Sequence, residues 1–250
     1  MDRDGGTGRG DRPCPGRGDR RALQRDRADL PPAGGALTAP VATDADALAG
    51  QLALRAEARA GRLVVALAGP PGAGKSTIVE PLCGALRARG LATEILPMDG
   101  YHYDNGVLEV RGLLSRKGAP ETFDAAGLAL SLRALTAPGA PDLAVPVFDR
   151  ALDLSRGSAR LIAAETRVLL VEGNYLLLNR APWDRLRPLF DVTVELSCPL
   201  EVLEARLMAR WLDLGLPEAV AREKVEGNDL PNARTVAEES VPAEFRIATG

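Results

Sequence analysis

From residue 63 onward, short apolar runs alternate with segments of helical period. Leu63-Val64-Val65-Ala66-Leu67-Ala68 is a continuous apolar run, the pattern of a strand buried on both faces. After a glycine-rich turn, Ile78, Leu82 and Leu86 recur at i, i+4 spacing and predict a helix that stops before Gly90. A second strand is predicted over 92–98, ending at Asp99-Gly100, with further strand candidates at 143–148, 168–171, 192–196 and, more weakly, 245–247. Helical segments near 124–136, 199–214, 217–226 and 232–240 separate or follow them. Ahead of the first strand, Asp44 is placed to cap a helix that carries Leu48 and Leu52 on one face and ends at Gly61. Strands alternating with helices predict an α/β fold: a doubly wound, mainly parallel sheet of about five strands with helices on both faces. In such a sheet, ligands gather beyond the carboxyl ends of the strands. No internal repeat is visible.

Composition adds boundaries rather than direction. Residues 1–42 are dominated by Gly, Pro, Arg and Asp with few large apolar side chains, and predict a disordered N-terminal extension. Residues 43–250 then form the folded domain. A formal net charge of −3 offers no global basic field for a nucleic-acid backbone. No apolar run reaches the roughly 18 residues that span a bilayer, and the N-terminus lacks the apolar core of a signal peptide. Cys14, Cys83 and Cys198 are odd in number and lack metal-ligand spacing, as expected of reduced thiols in a cytoplasmic protein. Only Lys75, Lys117 and Lys224 among the 31 basic residues are lysine, so a lysine at a chemically demanding position carries extra weight. Oligomeric state is open to either a monomer or a homodimer.

The turn after the first strand, Gly69-Pro70-Pro71-Gly72-Ala73-Gly74-Lys75-Ser76, matches G-x-x-x-x-G-K-[ST] between the strand and the helix that this phosphate loop requires. Its glycines let successive backbone N–H groups turn inward around phosphate oxygens, and the helix that starts there adds its positive dipole end. Lys75 is expected to reach the β- and γ-phosphates of ATP, Ser76 to hold Mg²⁺, and Thr77 to complete the ATP-binding set of residues 69–77.

A phosphate loop is shared by GTPases, motors and kinases, so other residues must choose between them. No Asn-Lys-x-Asp guanine-reading segment is present. Asp99 ends the second strand, where a carboxylate can take the proton of an attacking hydroxyl. Tyr101 and His102, the one histidine of the chain, follow it as candidate substrate contacts. Glu172 ends the strand predicted at 168–171, where it can hold Mg²⁺ directly or through water. Arg206 and Arg210 share a helix face ahead of Gly215-Leu216-Pro217, a hinge for a helical lid. Lys117 lies in a Gly- and Pro-bounded loop ahead of the helix cap Asp124 and is a candidate for acceptor or phosphate binding. Asn228-Asp229-Leu230-Pro231-Asn232 is either a ligand-facing loop or a helix cap, and Trp183 and Trp211 read as packing residues.

Four segments taken in order resemble one family: Met98-Asp99-Gly100-Tyr101-His102, then Arg116 to Asp124, then Pro146-Val147-Phe148-Asp149-Arg150, then Glu172-Gly173-Asn174-Tyr175-Leu176-Leu177. They are similar to the uridine kinase, phosphoribulokinase and bacterial pantothenate kinase superfamily of P-loop kinases. Within it, the likeness is to the bacterial branch labelled fructose-transport-system kinase or nucleoside/nucleotide kinase. The resemblance runs from about residue 45 to the C-terminus. It implies an ATP- and Mg²⁺-dependent phosphotransferase acting on a hydroxyl of a small molecule. In that reading Asp99 activates the acceptor, Lys75 and Ser76 serve the phosphates and metal, and Glu172 is the acidic metal residue. In similar kinases a lid arginine closes over the transferring phosphoryl group, and Arg210 resembles that residue in position more than Arg206 does. Asp149, Arg150 and Asn174 join Tyr101, His102 and Lys117 on the acceptor side. Tyr101 stands where relatives often carry Phe. Motifs of this kind imply the reaction class and leave the acceptor open among sugars, nucleosides and related alcohols.

Overall fold

A computed structural model describes residues 39–250. The extension predicted over 1–42 therefore falls almost wholly outside the described residues, with one difference at its end. Val41–Ala42 form a short strand, β1, which pairs in parallel with the last strand of the chain. The other strands are β2 (Leu63–Ala68), β3 (Thr93–Pro97), β4 (Leu143–Asp149), β5 (Leu154–Ile162), β6 (Val168–Gly173), β7 (Val192–Ser197) and β8 (Phe245–Ala248). Six of them form one parallel sheet in the order β1-β8-β7-β2-β6-β3. All six residues of β2 are buried, as its unbroken apolar run requires.

The helices are α1 (Ala45–Glu57), α2 (Lys75–Ala88), α3 (Asn105–Val110), α4 (Ala125–Thr136), α5 (Leu200–Asp213), α6 (Glu218–Lys224) and α7 (Leu230–Glu239). Asp44 caps α1 by accepting from the Ala47 N–H, and Asp124 caps α4 by accepting from the Gly127 N–H at 2.8 Å. Successive residues of β2 point to opposite faces. Leu63, Val65 and Leu67 pack with α1, α2 and α5, whereas Val64, Ala66 and Ala68 pack with α4 and a cluster of Phe123, Tyr175 and Trp183. This is the doubly wound α/β sheet that the alternation predicts, with one correction. The run at 143–148 does not enter the sheet: β4 pairs antiparallel with β5 in a separate hairpin. Strand β5 has the polar sequence Leu-Ser-Arg-Gly-Ser-Ala-Arg-Leu-Ile, which hides its extended conformation from a hydrophobic pattern.

Chain order places the site. From β2 the chain passes beyond β6 to form β3, returns to β6, and then crosses to β7 on the far side of β2. The carboxyl end of β2 is thus the switch point where a crevice opens. Register aligns Glu172 with both Leu67 and Pro97, so Glu172 and the turn carrying Asp99 reach the same edge of the sheet. The hairpin packs over that turn without joining the ladder. Arg160 donates to the Ile95 carbonyl at 2.8 Å, and Ser155 Oγ donates to the His102 carbonyl at 3.3 Å.

Two glycines permit these approaches. A Cβ on Gly173 would lie 2.4 Å from Met98 Cβ, and one on Gly100 would lie 2.3 Å from the Pro146 carbonyl oxygen. We predict that Gly173→Ala lowers stability by about 1–3 kcal/mol through overpacking. Gly84→Ala in α2, where an added Cβ meets nothing within 4 Å, is expected to raise it by about 0.4–1 kcal/mol. Urea denaturation of the two variants measures both; equal stability for Gly173→Ala and the parent chain would contradict the close contact.

Candidate functional site

The phosphate loop joins β2 to α2. Gly72 and Gly74 have φ of +80° and +78°, values that side-chain-bearing residues avoid. Gly74 is the N-cap of α2 and supplies no side-chain acceptor to the first turn, so the helix start presents backbone donors to the crevice. The Lys75 ammonium donates to the carbonyls of Gly69 at 3.0 Å and Pro70 at 3.1 Å, and to Asn174 Oδ1 at 2.5 Å. Burial pulls its pKa below the ordinary value, against the attraction of Glu172 and Asp99. Ser76 and Thr77 follow on the exposed first turn of α2.

Opposite Lys75 stand two carboxylates. Burial, and after it the Asp99 charge, push Glu172 up to about 7, while Lys75, Arg150 and Arg160 pull the other way. Asp99 opens a short 3₁₀ turn over Met98–Tyr101 and is half-buried. Its Oδ2 accepts from Arg150 Nη2 at 3.2 Å. The Asp99 backbone carbonyl accepts from His102 Nδ1 at 2.8 Å, which sets the imidazole tautomer with its proton on Nδ1. The His102 ring lies between Phe123 and Phe148, with centroids at 3.9 and 4.6 Å. Burial lowers its pKa, so this packed, neutral ring steadies the Asp99 turn.

The donor set suits Mg²⁺. Among the described residues no three His, Cys, Asp or Glu side chains gather into a dedicated metal nest. Mg²⁺ commonly takes one or two protein oxygens and completes its shell with phosphate and water. The Glu172 carboxylate, whose charge its surroundings penalise, and the Ser76 hydroxyl are the groups that would hold it.

A cavity of about 630 Å³ opens between the hairpin and α5, lined by Phe148, Arg150 and Asp153 on one wall and Arg206, Arg210 and Trp211 on the other. The Arg206 guanidinium reaches the Gly72 carbonyl at 3.4 Å. Arg206 thus touches the phosphate-loop backbone directly, while Arg210 lies over the Trp211 ring at 5.0 Å and lines the cavity. Trp211 Nε1 donates to Asp229 Oδ2 at 2.7 Å. Asp229 ends a π-helical turn over Val225–Asp229 between α6 and α7. Burial raises its pKa against that bond and the nearby Arg210 and Lys224. The polar 228–232 segment is thus a brace between helices, and Asn228 Nδ2 also donates to the Lys117 carbonyl at 2.9 Å. The bond between Trp211 and Asp229 leaves no mark in local sequence, because its partners are 18 residues apart.

Four residues expected at the ligand are engaged elsewhere in this structure. Tyr101 is buried in the core with its ring among Phe123 and the α4 residues, rather than lining the cavity. Lys117 is a strut: its ammonium donates to Asn105 Oδ1 at 2.7 Å and to the Asp153 carbonyl at 2.5 Å, and pairs with Asp153 Oδ2 at 2.9 Å. An ammonium has three donors, and all three are occupied. Asp149 caps the hairpin turn, accepting from the N–H groups of Ala151 and Leu152 at 3.1 Å each and pairing with Arg156 at 3.3 Å. Asn174 serves the phosphate-loop lysine rather than the acceptor wall. Arg150, Asp99, Lys75 and Glu172 come together as expected.

A crevice of this geometry, with a phosphate loop facing strand-end carboxylates under an arginine-bearing helix, defines a P-loop kinase. Comparison with known proteins agrees. The chain is 44% identical to a protein of Silicibacter sp. TM1040 whose crystal structure is described as a "putative fructose transport system kinase"; the two superpose with a TM-score of 0.77 over 82% of this chain and 98% of that one. It is 34% identical over 191 residues to "Putative uridine kinase C227.14" of Schizosaccharomyces pombe, covering 72% of this chain and 80% of that protein. It is 35% identical over 177 residues to "Uncharacterized protein YggC" of Escherichia coli, covering 70% and 73%. The family model for methylmalonyl Co-A mutase-associated GTPase MeaB matches residues 36–107, the stretch containing the phosphate loop and the elements around it. The chain belongs to the uridine kinase-like family of P-loop kinases.

Neutral burial of His102 sets a pH dependence. A depressed folded pKa means stability is complete above the unfolded value of about 6.5 and is lost as pH falls toward the folded value. Glu172 acts in the opposite sense: its contribution is complete below the ordinary carboxylate value and is lost as pH rises through about 7. His102→Phe keeps the ring stack and removes the titration. Thermal melts from pH 7.5 to 5 should show the parent chain losing stability on acidification relative to this variant. Parallel curves would contradict a neutral, packed imidazole.

Proposed function

We propose that this protein transfers the γ-phosphoryl group of ATP to a hydroxyl of a small metabolite such as a sugar, a nucleoside or a related alcohol. One observation carries this reading: Asp99 presents its carboxylate across the crevice from Lys75, and its partner Arg150 lines a cavity large enough for a small acceptor. Mg·ATP, when bound, supplies the phosphoryl group, with the metal ion spreading charge over its β and γ oxygens. Residues 69–77 hold the triphosphate through backbone donors and the dipole of α2. Lys75 leaves its carbonyl partners to meet phosphate oxygens while Asn174 keeps the ammonium oriented. Asp99 accepts the hydroxyl proton and aligns the oxygen for in-line attack. Arg206 and Arg210 approach from α5 to neutralise charge as it spreads over the transferring group, a service worth roughly 10³–10⁵ in rate where arginines act this way. Positioning and charge neutralisation supply most of the catalysis.

Lys75→Ala and Asp99→Asn are each expected to lower kcat by at least ~10²-fold, the scale of electrostatic and general-base groups. Acceptor-dependent ADP release measures this. Full turnover in Asp99→Asn would remove the base assignment. ATP hydrolysis that ignores every sugar, nucleoside and hydroxy acid offered would favour a nucleotide-driven regulator over a kinase.

A further inference from the structure

The cavity has an asymmetric lining. Arg150 and Asp153 line the hairpin wall and Arg206, Arg210 and Asp213 the α5 wall, and Asp153 is already paired with Lys117 at 2.9 Å. Cations therefore exceed the acids left to balance them. Arg206 and Arg210 share a helix with the residues that pack on Gly72, and so belong to the phosphate-loop wall. Arg150 comes from the opposite wall, at the tip of the hairpin.

Its present partner is Asp99, the group to which the proposed reaction assigns the acceptor hydroxyl. A hydroxyl that settles on Asp99 must displace or share that guanidinium. The exchange costs little, because the Arg150 side chain is 67% exposed and a pair so hydrated is weak. A displaced guanidinium beside the bound acceptor then needs an anion, and the planar fork of arginine matches carboxylate and phosphate oxygens. Geometry limits where that anion can be. Arg150 Nη2 lies 3.2 Å from Asp99 Oδ2. Ordinary hydrogen-bond lengths then keep an oxygen on Asp99 within roughly 9 Å of an oxygen on Arg150. A single small metabolite spans that reach.

We infer that the acceptor is a small anionic alcohol, with a carboxylate or phosphate within that reach of the hydroxyl that is phosphorylated, and that Arg150 reads this anion. The inference rests on the kinase reading above and on Asp99 as its base. It sets neutral sugars and nucleosides below hydroxy acids and sugar phosphates as acceptors.

The test uses the full chain with Mg·ATP and follows ADP release over matched pairs. D-glycerate and pantothenate are compared with their neutral amides; ribose 5-phosphate and fructose 6-phosphate are compared with the free sugars; uridine is added as a neutral nucleoside. At least one anionic member should exceed its neutral partner by 10-fold or more in kcat/KM, and which pair responds separates carboxylate from phosphate. Arg150→Ala should shrink that preference by about 10- to 100-fold, mainly through KM, and Arg150→Lys should restore part of it. Turnover of a neutral member above its anionic partner, or an unchanged preference in Arg150→Ala, overturns the inference and leaves the kinase reading standing. No acceptor-dependent release from any compound, with ATP still hydrolysed, overturns both. Circular dichroism of each variant confirms that this exposed site is changed without loss of fold.

Discussion

Everything at the site depends on how closely the ends of β3 and β6 approach. Gly173 meets the side chain of Met98 where any Cβ would collide with it, and Gly100 does the same against the backbone of Pro146. The first contact brings the turn after β3 down beside the end of β6. The second lays the hairpin over that turn. Asp99 therefore lies close enough to Glu172 for its charge to oppose ionisation of Glu172, in a crevice where Lys75 and Arg150 supply the compensation. Such an arrangement is unfavourable for the isolated domain and favours a ligand that brings positive charge, as the metal ion of a nucleotide does. The glycines matter because they impose this proximity, more than for any turn they allow.

The second wall of the crevice is organised from α5. Leu203 and Leu207 bury against Gly72, which anchors the helix to the phosphate loop. The exposed side of the same helix carries Arg206 and Arg210 to the cavity. Trp211 ties it through Asp229 to the π turn, and Asn228 ties that turn to the Lys117 loop. Lys117 in turn holds the hairpin tip through Asp153. A chain of polar contacts thus runs from α5 to the hairpin tip and links the two walls of the cavity.

The parallel sheet was legible from sequence because its central strands β2 and β6 are near-continuous apolar runs, as strands buried on both faces must be, while β3, β7 and β8 keep enough apolar residues to be read around them. The phosphate loop was legible because backbone geometry demands glycine at fixed places and one lysine after them. Asp99 and Glu172 could be read from position alone, as carboxylates at the ends of apolar strands. The hairpin was misread for the corresponding reason: β4 is apolar enough to pass for a sheet strand, and β5 is too polar to be seen as a strand. The contacts of single polar residues were not legible. Lys117, Asp149 and Asn174 hydrogen-bond to other parts of the chain in this structure, and Tyr101 turns into the core. No local pattern records partners tens of residues away.

The hairpin shares no ladder hydrogen bond with the six-stranded sheet and rests on it through a few side chains and one tight backbone approach. Its tip can change length or charge without shifting the register of any parallel strand. Recognition of one partner is in this way mechanically insulated from the grip on the other, and a single nucleotide-handling core can be refitted to new small molecules by rewriting about twenty residues on one edge.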